Sequence, residues 1–553
     1  MTTPETTRNA EIRDELSTIV REDAFRTLTP PMIDHFRRIG RVERHDAGTV
    51  LYEAGGEGYD FFVVLSGEIH ITDGAVDGDG LIGTVGSNAF IGELGLLSGQ
   101  TPFLNASVAK DAEVIRVTPA QLHDTINQVP EIGDVVVAAF SARREVLMKA
   151  ATANLTILGP EGHPDVTRAL EFVSRNRIPH RWLDGRSETG ARIVRRLDLD
   201  PDRLNVVLRG DHVVARPDNP GIAWAMGMNL EVDDGTSVDL AVIGAGPGGL
   251  AASVYGASEG LRTVTIENTA IGGQAGTSSR IENYMGFPTG ISGADLAYRG
   301  QIQSIKFGAR FAAPRTARAL EKTDSGWRIK LCNGSDICAR AVVIATGVQY
   351  RRLPLDRLEE MEGAGVYYAA TELEARFCRG TEAVVVGGGN SAGQAAMFLS
   401  RHAGHVHVVI RGKDLSATMS NYLVQRLEND PRITIHAHTE VDALHGERVL
   451  EAVTLRDNRD GSTERVETRA LFIMIGAAPH TEWLGDNCSL DEKGFIRTGE
   501  GVGGRSPFET SCPGIFAIGD VRAGSVKRVA SAVGEGSVVV SAVHQHIAER
   551  ETA

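Results

Sequence analysis

The sequence predicts a multidomain chain: a β-rich front unit, a small βαβ unit, and two α/β units each built to hold a dinucleotide. Three observations carry that prediction. At 553 residues the chain exceeds what one hydrophobic core organises. Its apolar period changes twice, near residue 153 and again near 238. Two glycine-rich strand–turn–helix patterns stand in its second half.

Composition narrows the function classes. A formal charge of −15 argues against a general nucleic-acid binder, which needs a basic face to displace counterions. No stretch approaches the roughly 18 apolar residues of a membrane span. The polar, acidic start "MTTPETTRNAEIRDELSTIVRED" is no signal peptide. Cys332, Cys338, Cys378, Cys488 and Cys512 are odd in number and form no CxxC, which fits a reducing cytosol and a cytoplasmic location.

Residues 1–150 read as short strands with glycine turns, "AGTVLYEAGGEGYDFFVVLSGEIHI" and "LIGTVGSNAFIGELGLLSG". A helix with Ile132, Val135, Val136, Ala139, Phe140 and Leu147 on one side follows. Residues 153–228 alternate as βαβ: "NLTILG", "PDVTRALEFVSRN", "PHRWLD", another helix, then "NVVLRGDHVVARP". The polar "MGMNLEVDDGTS" reads as a linker.

In "VDLAVIGAGPGGLAASVYGASEGLRTVTIE" a strand runs into Gly244, Gly246 and Gly249, a helix follows, and the second strand ends at Glu267. The first glycine permits the tight turn, the second lets backbone approach a pyrophosphate, and the third lets helix lie on strand. Glu267 stands where an acid accepts from a ribose. In "EAVVVGGGNSAGQAAMFLSRHAGHVHVVIRG" Gly387, Gly389 and Ala392 repeat the pattern, but Arg411 and Lys413 replace the acid. Cations there suit the 2′-phosphate of NADPH; the plain alternative is two solvated charges. Two dinucleotides in one chain are most economically a flavin and a nicotinamide. Asp520, in "TSCPGIFAIGDVR", can meet a ribityl chain.

These residues resemble the low-molecular-weight thioredoxin reductases over 238–548, through "IGGQAGTSSRIENYMGFPTGISG", "VVIATG", "IMIGAAPHTEWL" and "FAIGDVR". The resemblance implies FAD lined by Gly244, Gly246, Gly249, Glu267, Gln274, Asn283, Thr346 and Asp520. It implies NADPH, with NADH open, lined by Gly387, Gly389, Asn390, Ser391 and Arg411, with Lys413 beside it. It further implies an FAD domain over 238–352 and 476–548, a nicotinamide domain over 353–475, and a homodimer. The family delivers a redox dithiol to the flavin from a segment that here reads "VYYAATELE". Ala369 and Glu372 stand at the two cysteine positions, and neither replaces a thiolate. Cys332 and Cys338 flank the hairpin turn "NGSDI" and are the one pair whose spacing suggests a substitute. Gly412 and Ser416 stand where the family's nicotinamide cluster has arginines.

Residues 40–117 resemble a cyclic-nucleotide-binding jelly roll. Glu93 fits the family's ribose-binding glutamate, but no arginine follows it before Arg116, and Lys110 is the only nearby cation. A barrel without cyclic nucleotide, or with another nucleotide-like regulator, is therefore as well supported as binding. Residues 153–228 resemble a thioredoxin or glutaredoxin fold whose active turn reads "GPEGHPD", without cysteine, with His163 on that turn and Asn205 where a cis-proline is expected.

The expected activity is FAD-dependent NAD(P)H oxidation toward an acceptor that is either a small molecule or a redox protein. A ferredoxin- or flavodoxin-NADP reductase and a non-catalytic flavin sensor are the alternatives.

Overall fold

A computed structural model describes residues 24–552 apart from 57, 73–79, 94, 151–154, 209–211, 227, 229–234, 279–280, 282, 362–363, 369, 371, 417 and 448. The N-terminal segment, the centre of the expected linker and Ala369 thus lie outside the described residues.

The front unit is an antiparallel sheet in the order Arg41–His45, Asn105–Val117, Phe61–Thr72, Leu81–Val85. Phe61, Phe62, Val63 and Val64 are all buried, since one side of that strand faces the barrel interior and the other faces helices. Thr118 caps the helix Pro119–Gln128 in a reciprocal box with Gln121. The next helix, Pro130–Ala150, buries Ile132, Val136, Ala139, Phe140 and Leu147 along the face its spacing predicts.

In the middle unit Leu155–Leu158 lies parallel to Arg181–Leu183 and antiparallel to Asn205–Leu208, which pairs in turn with His212–Ala215. With helices Pro164–Arg175, Glu188–Leu197 and Asn219–Ala225 the order is βαβαββα, which contains the βαβ alternation read from the sequence. His163 caps the first of these helices, its Nδ1 accepting from the Asp165 N–H at 3.2 Å. Met226 and Met228 pack on this unit's core, so the start of the expected linker is part of the fold.

The third unit is a parallel sheet ordered Arg310–Ala312, Thr263–Ile266, Thr236–Ile243, Asp336–Ile344, with Ile515–Ala517 beside the last. Its strands are apolar almost throughout because both faces are covered, one by the helices Pro247–Ser258 and Val529–Thr552, the other by the sheet's antiparallel strands Ala317–Thr323 and Gly326–Leu331 with Leu484 and Ile496. The fourth unit, ordered Ile433–His436, His405–Val409, Glu382–Val386, Thr463–Ile473, interrupts the third between 344 and 515. Two short antiparallel strands, Val348–Tyr350 and Ala477–Pro479, carry the chain out and back.

The barrel and middle units dock on the third unit through its helix Gly293–Lys306. Lys306 pairs with Asp134 at 2.7 Å, and Arg177 pairs with Asp295 while lying 4.3 Å from the Tyr298 ring centre.

Candidate functional site: a dinucleotide cavity in the third unit

Sequence and sterics make the first fingerprint a cradle. Gly244 has φ +103°, and a Cβ there would lie 2.4 Å from Ala345 O. A Cβ on Gly249 would lie 1.8 Å from Gly244 O. Gly246 differs: it caps the helix Pro247–Ser258 with φ −69°, and a Cβ there would meet nothing within 4 Å. The space in front of it is a cavity of about 330 Å³. Helix N–H groups and the helix dipole converge on that space, which suits a pyrophosphate.

Glu267, 7% exposed, accepts from Ala245 N–H at 2.8 Å and Thr269 N–H at 3.0 Å, so its carboxylate is aimed along the cavity wall. Gln274 and Thr346 line the wall as well, donating to Val348 O and, at 3.2 Å, to His480 O. Asp520 closes the far side, and burial raises its carboxyl above the ordinary range. Asn283, which the motif resemblance places at the flavin, is exposed on the loop between the paired Ile281 and Ile291 and is not on the wall of this cavity. The residues present fit a dinucleotide of FAD's length.

The second fingerprint repeats the steric logic. Gly387 has φ +146° with Met474 O 2.3 Å from a Cβ position, while Gly389 caps the helix Asn390–Leu399 and faces open space. Asn390 Oδ1 accepts from Ser420 N–H at 2.8 Å, tying the glycine turn to the following loop. Ser391, Arg411 and Lys413 are exposed beside that turn and strand end, and Lys413 lies 3.8 Å from Asp414. Asp414 is held below the usual carboxylate range by Ser416, which adds a negative charge next to the two cations.

Residues 238–536 match the pyridine nucleotide-disulphide oxidoreductase family and 42–129 the cyclic nucleotide-binding domain. The chain is 34% identical to the thioredoxin reductase of Treponema pallidum over 312 residues, 56% of this chain and 98% of that protein. It is 32% identical to that of Bacillus subtilis, covering 95% of it. This chain belongs to the pyridine nucleotide-disulphide oxidoreductase family. Within it, the C-terminal part is of thioredoxin-reductase type, fused behind a cyclic-nucleotide-binding domain. The thioredoxin reductase of Lactococcus lactis in its FR conformation superposes with a TM-score of 0.52 at 27% identity, over 56% of this chain and 99% of that one. The T. acidophilum thioredoxin reductase gives 0.52 at 28% identity, over 57% of this chain and 99% of that one.

The five cysteines of this oxidoreductase are all free. The segment containing Glu372 sits on the fourth unit, where Val366 and Tyr367 run parallel to Leu471 and Phe472 and Glu372 opens a short helix. The cysteine nearest in sequence, Cys378, is buried, and burial pushes its thiol up to about 12. Burial likewise pushes Cys488 up to about 11, and Cys512 Sγ lies 2.6 Å from Asn487 O. The suggested pair fails on register. Cys338 stands opposite Arg328, four residues along the strand from Cys332, or about 13 Å at 3.3 Å per residue. A disulfide needs Cα atoms within about 7 Å.

The barrel site is occupied from within. Glu93, 8% exposed, accepts from Arg144 Nη2 at 2.6 Å, Gly95 N–H at 2.8 Å and Tyr59 OH at 3.2 Å. It is therefore not open to a ribose, which corrects the role its motif position suggests. Lys110 is engaged on the surface by Glu68. Arg143 enters a small cavity of about 70 Å³ walled by Tyr52, Tyr59, Phe90 and Phe103, and donates to Ala24, Phe90 and Gly92 carbonyls at 2.7–3.0 Å. Burial pushes its guanidinium down to about 10. Both arginines come from the helix after the barrel, beyond the reach of the barrel motif; "ARRE" on that helix's apolar face was the available signal. Isothermal titration with cAMP or cGMP is expected to show no binding below about 100 μM, and a submicromolar constant for either would contradict this use of Glu93.

Proposed function

We propose that the protein is an FAD-dependent NAD(P)H oxidoreductase whose reduced flavin serves an acceptor other than a protein disulfide. The observation that supports this most directly is the pairing of two intact glycine cradles with alanine and glutamate at the dithiol positions. FAD reduced by NAD(P)H would supply two-electron chemistry at the cavity. The chain's own residues do the rest: Gly244, Gly246 and Gly249 admit the pyrophosphate, Glu267 receives ribose hydroxyls, and Gln274, Thr346 and Asp520 flank the deeper wall.

The middle unit supports the same reading. Its cysteine-free turn faces the fourth unit, a Cβ on Gly162 lying 3.0 Å from Val449 Cγ1. A redox-silent domain of thioredoxin type thus stands against the domain that carries the altered segment. In an assay coupled to thioredoxin and insulin, turnover should not exceed that of free flavin, while ferricyanide or a quinone is reduced with NADPH. Thioredoxin reduction that persists in a Cys378→Ser, Cys488→Ser, Cys512→Ser variant would reject the proposal.

Arg411 sets nucleotide preference in this reading. Arg411→Ala should lower the NADPH-to-NADH ratio of flavin-reduction rates by about tenfold, the order of one charge-assisted phosphate contact. Stopped-flow reduction with both nucleotides measures it, and an unchanged ratio removes Arg411 from the site.

A further inference from the structure

We infer that Arg175 of the middle unit is a cofactor-binding residue, so that the FAD site is completed by a domain outside the FAD fold. The inference rests on the flavin reading above and deepens it. Among the described residues, every other one on the wall of the cavity belongs to 243–348 or 480–532; Arg175 alone comes from elsewhere. It is the last residue of the helix Pro164–Arg175.

Three consecutive side chains hold that helix end on the cavity's rim. Arg175 Nη2 donates to Gly273 O at 3.2 Å, Asn176 Nδ2 donates to Thr269 O at 3.2 Å, and Arg177 pairs with Asp295. Both acceptor carbonyls lie in the loop after Glu267, and Thr269 N–H orients the Glu267 carboxylate. The same loop lies across the first fingerprint: Gly272 N–H donates to Ala245 O at 2.8 Å, and a Cβ on Gly273 would stand 3.0 Å from Gly246 Cα. By anchoring on Gly273, Arg175 places its guanidinium beside the glycine where the pyrophosphate must approach.

The charge there is available. Its other partner, Glu171, is 3.4 Å away with half its side chain exposed, a one-turn helix pair of little strength. Against a pyrophosphate, the planar guanidinium gains a charge-assisted and bidentate geometry that Glu171 does not offer here. Because the contact spans two domains, FAD binding and docking of the middle unit stabilise each other by the same factor.

The test uses full-length protein stripped of flavin and titrated with FAD, followed by quenching of flavin fluorescence at low and high salt. Arg175→Met should weaken the FAD Kd about tenfold at low salt and flatten its salt dependence, and Arg175→Lys should recover part of both. Asn176→Ala, which loosens the same helix end without altering the cavity's charge, should keep the parent's salt dependence. Parent-like Kd and salt dependence in Arg175→Met would overturn the inference. So would losses of equal size in the Met, Lys and Asn176→Ala variants, which would trace the effect to docking alone. A parent that takes up no FAD would instead sink the flavin reading itself, together with this one.

Discussion

Valine at position 246 should give a folded protein that no longer retains FAD. The backbone there, φ −69° and ψ −178°, is open to any L residue, and a Cβ meets no protein atom within 4 Å. The apo fold should therefore change by no more than about 0.5 kcal/mol. The valine methyls occupy the space a pyrophosphate needs at the helix N-terminus, so FAD affinity should fall at least about 100-fold, or roughly 3 kcal/mol. Absorbance at the flavin band after purification, with a denaturant melt of the same sample, separates the two effects. Retention of FAD at parent stoichiometry would show that the pyrophosphate does not pass Gly246. Gly249→Val is the contrasting case: its Cβ would overlap Gly244 O at 1.8 Å, so loss of flavin there would come with loss of fold.

Arg144→Met should destabilise the front unit by about 3–5 kcal/mol, because it leaves the buried Glu93 carboxylate without its partner. Arg144 side-chain exposure is 3% and that of Glu93 is 11%, so solvent cannot substitute for the lost pair. Arg144 also stacks 4.7 Å from the Phe103 ring centre and donates to Arg177 O at 3.3 Å, so the change should loosen the barrel from the middle unit as well. Hydrogen exchange of the front unit's amides in the full chain measures the loss, since all four tryptophans lie outside that unit. The double variant Glu93→Gln, Arg144→Met should recover a substantial part of it, since a neutral amide is cheaper to bury than an unpaired carboxylate. A double variant no more stable than Arg144→Met would mean that the arginine stabilises through packing on Phe103 instead.

Much of the third unit could be read directly. Gly244, Gly246, Gly249 and Glu267 lie within one strand–helix–strand segment; Gly244, Gly249 and Glu267 are fixed by clashes or contacts with near neighbours or the paired strand, and Gly246 opens on the space before the helix. The face of the helix Pro130–Ala150 was legible for the same reason, since its apolar spacing follows from local geometry. Asn283 was placed by motif position alone. It stands exposed on the loop between the paired Ile281 and Ile291, off the wall of the cavity.

The sequence by itself determined that the chain carries two glycine fingerprints of dinucleotide type, and that alanine and glutamate stand at the positions where the resemblance puts a dithiol. Those are properties of residue type and short spacing. Tertiary structure alone decided the rest. Cys332 and Cys338 are close along the chain yet held apart by strand register. Glu93 is claimed by Arg144 across 51 positions, and Arg175 reaches Gly273 across 98. No periodicity or motif encodes such pairings, because they exist only once separately folded units dock and bury charges that each unit alone would leave in water.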